Sequence, residues 1–199
     1  LFRATHDTRK KKLGEDHPDT LDSANNLAIL LKETGRIEEA EALYRATYEA
    51  QKKKLGKDHP DTLMSANNLA NLLRKTGRTE EAEPLYRATY DAHKKKLGED
   101  HPDTLSSADN LAILLAQTGR TDEEAEALWR ATYDASKKKL GEDHPDTLKS
   151  AGNLASLLDK KARELDEKGA TDPAALAQIY TEAADMRALK YGAEDEAVV

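Results

Sequence analysis

The chain has no cysteine, and that one absence removes disulfides, thiolate metal sites and cysteine nucleophiles together. It fits a reducing compartment. No apolar run approaches the roughly 18 residues that a membrane-spanning helix needs, and no secretory signal opens the sequence. An excess of positive charge is missing too. A formal net charge of −7 and a pI near 5.5 argue against a broad electrostatic footprint on nucleic acid or anionic lipid. There is no Gly-rich phosphate loop, no G-x-S-x-G elbow, no H-E-x-x-H helix and no Gly-turned calcium loop. The expectation is a cytoplasmic, soluble protein without catalytic residues, metal or cofactor, and without nucleic-acid or membrane partners.

What is present is repetition. LGEDHPDTL at Leu13–Leu21 returns with small changes at Leu55, Leu97 and Leu140, and the residues between the copies match as well. With 35% charged and 38% apolar residues and a mean hydropathy of −0.82, the composition alone would suit a disordered chain. The regular placement of Leu and Ala argues for a single stack of helical hairpins instead.

One repeat shows how. Asp16 or His17 stands at an N-cap, Pro18 fits the first helical turn, and Asp19 suits the positive end of the helix dipole. Leu21, Ala24, Leu27, Ala28, Leu30 and Leu31 follow at spacings of three and four, an apolar stripe that ends before Gly35. A second helix starts with Glu38, Glu39 and Glu41 and closes on Lys52, Lys53 and Lys54 before Gly56, both ends matching the dipole. The whole chain then reads as a half repeat at 1–13 and hairpins at 18–55, 60–97, 102–140 and 145–191, with a frayed tail at 193–199. Since residue 1 falls inside a repeat and there is no initiator Met, the chain reads as part of a longer protein.

Three irregularities stand out. Pro84 lies early in a second helix and predicts a kink or a later start. The third repeat has one extra residue before Ala125. The fourth lacks the capping Gly and is nine residues longer between its helices. The first helix is expected to run on to about Lys168, with a turn at Gly169–Thr171, a new cap at Asp172 and Pro173 at the first helical position. Ile179 and Tyr180 are then expected where Leu43 and Tyr44 stood, and Tyr191-Gly192 where Leu55-Gly56 stood.

Leu27-Ala28, Gly35, Ala40 and Tyr44 fall at the signature spacing of tetratricopeptide repeats. The 42-residue period, the HPDT entry, the NNLA core and the AEALY second helix resemble the kinesin-light-chain-like subfamily. The resemblance implies an all-α, right-handed superhelical α-solenoid of about nine helices. It implies a concave wall, lined by the first helices, that clasps extended peptides. It also implies that the second Asn of NNLA holds ligand backbone, which here means Asn26, Asn68, Asn110 and Asn153. A carboxamide both donates and accepts, so it can pair with both groups of a peptide unit. It can equally cap or bridge helices inside the stack.

Neighbouring wall positions vary between copies, as a partner-selecting surface would. They include Asn25, Asn67, Asn71, Arg74, Lys75 and Lys149, with Asp109 and Gly152 departing from the NNLA pattern. Arg74-Lys75 and Lys149 with Lys160 make two basic spots suited to acidic ligand side chains. The expected function is a non-enzymatic scaffold binding an extended peptide or a partner helix. The alternatives are a structural spacer in a larger assembly and a regulatory segment of a longer enzyme or signalling ATPase. The four His–Asp pairs from His17-Asp16 to His144-Asp143 are read as helix-start signals because each lies a repeat away from the next and cannot share an ion. The lysine triplets are read as dipole partners, and Trp129, in the place of Tyr44 and Tyr86, as core.

Overall fold

The computed structural model describes residues 1–119, 122–167, 169 and 173–196. Among them are nine helices and no strand: α1 Phe2–Leu13, α2 Pro18–Glu33, α3 Ile37–Leu55, α4 Pro60–Lys75, α5 Thr79–Leu97, α6 Pro102–Thr118, α7 Asp122–Leu140, α8 Pro145–Glu167 and α9 Pro173–Glu196. They group into two compact units, Leu1–Ala92 and His93–Val199.

The repeated motif is the joint between hairpins. His17, not Asp16, is the N-cap. Its Nδ1 accepts from the Asp19 backbone N–H at 3.2 Å, and His59, His101 and His144 do the same for Asp61, Asp103 and Asp146 at 3.2–3.3 Å. Each imidazole satisfies one of the orphan N–H groups of a helix start. Gly56 closes α3 at φ 90° and ψ 160°, a conformation open only to glycine. Gly119 closes α6 in the left-handed region at φ 64°. The lysine triplets also reach across the joints: Lys54 donates to the Asp16 carbonyl at 2.9 Å and Lys139 to the Asp100 carbonyl at 3.2 Å.

In the first unit Leu21, Leu27, Ala28, Leu31, Ala40 and Tyr44 are buried, with Leu63, Leu69, Ala70, Leu73, Ala82 and Tyr86 at the same places one repeat on. In the second unit the core is Leu111, Ala112, Leu115, Ala125, Trp129, Leu154, Ala155 and Leu158. Ala28, Ala70, Ala112, Ala40, Ala82 and Ala125 have no exposed surface, as close helix approach requires. Pro84 sits inside α5, which starts at Thr79 in the register of Ile37, so the later start is not seen. The helix α7 has the 19 residues of α3, which places the extra residue of the third repeat in the connection at 120–121, outside the described residues.

The fourth hairpin departs from its expected register. α8 is 23 residues long against 16 for α2, an extension of two helical turns and roughly 10 Å. An antiparallel partner must then travel two more turns before meeting the regular part of the stack. Ala183, not Leu176, therefore takes the fully buried slot of Ala40 and Ala125. Glu182 pairs with Arg130 as Glu81 pairs with Arg45. Tyr180 is 37% exposed while Tyr44 is 1% exposed, so the expected equivalence of Tyr180 with Tyr44 fails. Arg187 stands at the aligned position, with its side chain 45% exposed, and donates to Asp159 at 2.8 Å. Tyr191-Gly192 does not end the helix, which continues to Glu196 into the stretch expected to fray. The expected cap at Asp172 and residues 197–199 lie outside the described residues, as do Lys168, Ala170 and Thr171.

Candidate functional site

The face carried by the first helices is built on one recurring bridge. In the first unit Asn68 on α4 donates its carboxamide to the Asn25 side chain on α2 at 3.0 Å. In the second unit Asn153 on α8 donates to Asp109 on α6 at 2.8 Å. The second Asn of NNLA thus ties one hairpin to the one before it, leaving its own oxygen and second N–H. Asn26 is exposed, Asn67 and Asn110 are half-buried, and Asn25 is buried. Asn71 is half-buried and accepts from the Tyr86 hydroxyl at 2.9 Å. Arg74 is half-buried and Lys75 exposed.

Asp109 is the hub of the second unit. Its side chain is 7% exposed. One oxygen accepts from the Trp129 indole at 2.8 Å and from Asn153 at 2.8 Å, while the other meets the Lys149 ammonium at 2.7 Å. Buried carboxylates persist only when paired and hydrogen-bonded in this way. The identity of residue 129 follows from its surroundings. Tyr86 finds Asn71, whereas the corresponding neighbour of Trp129 is Ile113, so the indole turns to Asp109. In the repeat of Tyr44 the position of Asn71 is held by Ile29, and burial, helped by Glu33, pushes the Tyr44 hydroxyl up to about 12.

Between α6 and α8 of this unit, with α7 as the floor, a furrow opens on either side of the Asp109–Asn153 bridge. Toward the helix starts lies a cavity of about 460 Å³ lined by residues that include Ser106, Asp109, Ser136, Lys139, Asp146 and Lys149. Toward the helix ends lies one of about 250 Å³, lined by Ile113, Ala116, Trp129, Asn153, Ser156 and Lys160 among others. Of the two basic spots read from the sequence, Lys149 is held by Asp109, and Lys160 by Asp122 at 2.9 Å.

Ion pairs between hairpins fix the second helices behind this face. Glu41 accepts from Arg45 and, through both oxygens, from Arg78. Burial pushes Glu41 up, but these guanidinium groups outweigh it and hold the carboxyl below the usual range. Glu126, its counterpart in the second unit, meets Arg130 and Lys161. The lysine from the extended α8 replaces the arginine that follows the missing glycine.

A catalytic reading of His93 and Ser107 does not hold chemically. Their side chains are 3.3 Å apart, but Ser107 gives its proton to the Thr104 carbonyl at 2.9 Å, and burial pushes the imidazole down. No group of three or more His, Asp or Glu side chains among the described residues is arranged to hold a metal, and no described helix is long and apolar enough to cross a membrane.

Asp109 as a hub was the feature least visible in advance. The available signal was a coincidence of three departures in two adjacent repeats: Asp for Asn at 109, Trp for Tyr at 129, and Lys at 149.

No curated protein sequence matches the chain. Among solved structures it is similar to a Podosopora anserina protein described as a kinesin light chain with nearly identical TPR-like repeats. That protein and a single-substitution variant of it superpose with TM-scores of 0.75 and 0.76 at 24% identity, over 94% of this chain and 84% of that one. It is also similar to BtubC (BKLC) from P. vanneervenii, with a TM-score of 0.76 at 16% identity over 98% of this chain and 71% of that one. The tetratricopeptide repeat family matches residues 1–53, 33–95, 61–123 and 104–146. The chain therefore belongs to the tetratricopeptide repeat family.

Proposed function

We propose that the chain is a non-enzymatic interaction scaffold that binds an extended peptide or a partner helix along the face of its first helices. Repeats of this family generally mediate protein–protein interaction and typically form non-catalytic scaffolds. The observation that carries the finer reading is the furrow between α6 and α8, where variable side chains sit around an Asn-centred bridge with spare hydrogen-bonding capacity. The preference for acidic ligand side chains rests on the exposed Lys75, since Lys149 and Lys160 already face acids of the chain.

The test is selection of binders from a displayed random-peptide library, followed by titration of the selected peptide. Ser106→Trp and Ser156→Trp place bulk at exposed furrow positions and are expected to weaken binding at least about tenfold. Glu49→Trp, on an exposed second-helix position, is expected to leave it unchanged. Equal affinity in all three variants would overturn the furrow as the binding face.

A further inference from the structure

We infer that the larger cavity of the second unit is a receptor for a cationic side chain, arginine by preference, and that Lys149 occupies it as a built-in competitor. This rests on the peptide-binding reading and names the chemistry of one contact within it.

The two oxygens of Asp109 are held differently. One is fixed by two neutral donors that cannot leave, the indole of Trp129 in the core and the carboxamide of Asn153. Among the described residues the other meets only the Lys149 ammonium, which arrives from a side chain 62% exposed to solvent. A carboxylate this buried requires a cation, because an unpaired buried charge is strongly unfavourable. The lysine that supplies it sits on a flexible stem at a surface position. Replacing one cation by another keeps the charge balance, so exchange escapes the penalty that removal would incur.

The cavity supplies the second half of the site. Ser136 lines its floor, is only 2% exposed, and makes no hydrogen bond among the described residues. Its hydroxyl faces the space an incoming group would fill, where water or that group can meet it. The remaining ionic groups balance toward a cation. Lys139 is engaged with the Asp100 carbonyl, and His144 holds Nδ1 toward the Asp146 backbone N–H as an acceptor. Asp103 and Asp146 stand at the rim with exposed carboxylates. A guanidinium presents a planar fork that can meet Asp109 and Ser136 together, which an ammonium on a single point cannot do as well.

No other repeat carries this combination. Positions equivalent to Asp109 are Asn25, Asn67 and Gly152, and those equivalent to Lys149 are Asp22, Met64 and Ser106. The first unit's bridge between Asn25 and Asn68 is neutral and needs no cation.

Trp129 is the sole tryptophan of the chain, and its indole N–H is bonded to Asp109, so its ¹H–¹⁵N resonance reports directly on the site. The probes are N-acetyl-arginine amide and N-acetyl-glutamate amide, titrated into the whole chain. Arginine amide is expected to shift the indole resonance saturably. Lys149→Ala should tighten it by about twofold to fivefold, the range expected on removing an exposed ionic competitor. Asp109→Asn, which keeps an acceptor for the indole, should abolish it, and far-ultraviolet circular dichroism will show whether that variant is folded. Ser136→Ala should weaken arginine amide without changing the fold.

No shift in either the parent or Lys149→Ala overturns the inference, as does a preference for the glutamate probe. Selected peptides that still bind Asp109→Asn with undiminished affinity would also sink it while leaving the scaffold reading intact. A site that takes arginine amide in a chain capturing no peptide would sink the scaffold reading alone.

Discussion

The two units solve the same problem, tying one hairpin to the next, with opposite chemistry. In the first, Asn25 and Asn68 share a neutral hydrogen bond. In the second, the same two positions hold Asp109 and Asn153, and the buried charge recruits Trp129 and Lys149 around itself. A neutral amide bridge can be lost at the cost of one hydrogen bond. A buried carboxylate commits every neighbour that satisfies it. The units also differ at their aromatic slot: tyrosine is buried there in the first and tryptophan in the second, while the last hairpin puts the exposed Arg187 at the aligned position.

That comparison can be broken most forcefully at the aromatic slot. Tyr44→Ala is expected to destabilise the chain by about 3–5 kcal/mol in chemical denaturation, the cost of emptying a large buried site. Tyr180→Ala, at the position that sequence alignment makes equivalent, should stay within about 0.5 kcal/mol because the side chain is exposed. Equal losses would mean that Tyr180 is as buried as Tyr44.

The bridges come next. Asp109→Ala removes the acceptor of a buried indole and leaves Lys149 without its acid, for an expected loss of about 2–4 kcal/mol. Asn25→Ala removes one neutral bond and should cost about 1 kcal/mol. Denaturation of both variants against the parent decides it, and similar values would show that the charge adds nothing to the bridge.

The smallest effect is ionic and lies on the acid side. Arg78, then Arg45, hold the Glu81 carboxyl down to about 2 against an ordinary value of 4.5. A carboxylate lowered by folding contributes its full stabilisation above the ordinary value, and loses it as pH falls from about 4.5 toward about 2. The group is fully exposed, so salt should screen the effect. Thermal melting through that window should fall less steeply for Glu81→Gln than for the parent, and identical slopes would remove the Arg–Glu lattice as a source of acid sensitivity.

Much of this molecule could be read from its residues. HPDT started helices at Pro18, Pro60, Pro102 and Pro145, and Gly35, Gly77 and Gly119 followed the ends of the first three, because cap chemistry acts within one turn and depends on nothing distant. Of the alternatives for the second Asn of NNLA, the bridging one is seen at Asn68 and Asn153, through one N–H of each carboxamide. The fourth hairpin defeated alignment for a geometric reason. Matching Tyr180 to Tyr44 counts residues along the chain, whereas the stack counts turns of α8 that α9 must pass.

Sequence by itself determined the repeat, the helices and their joints, and membership of a family of interaction modules, because each of these depends on neighbours three to five residues apart. Only the tertiary structure decided that Asp109 is the centre of its unit, that Lys149 and Lys160 face acids of their own chain, and that Ala183 fills the buried slot that residue counting gives to Leu176. Those outcomes depend on which side chains meet across helices some forty residues apart, where burial makes one charge dictate the choice of its neighbours.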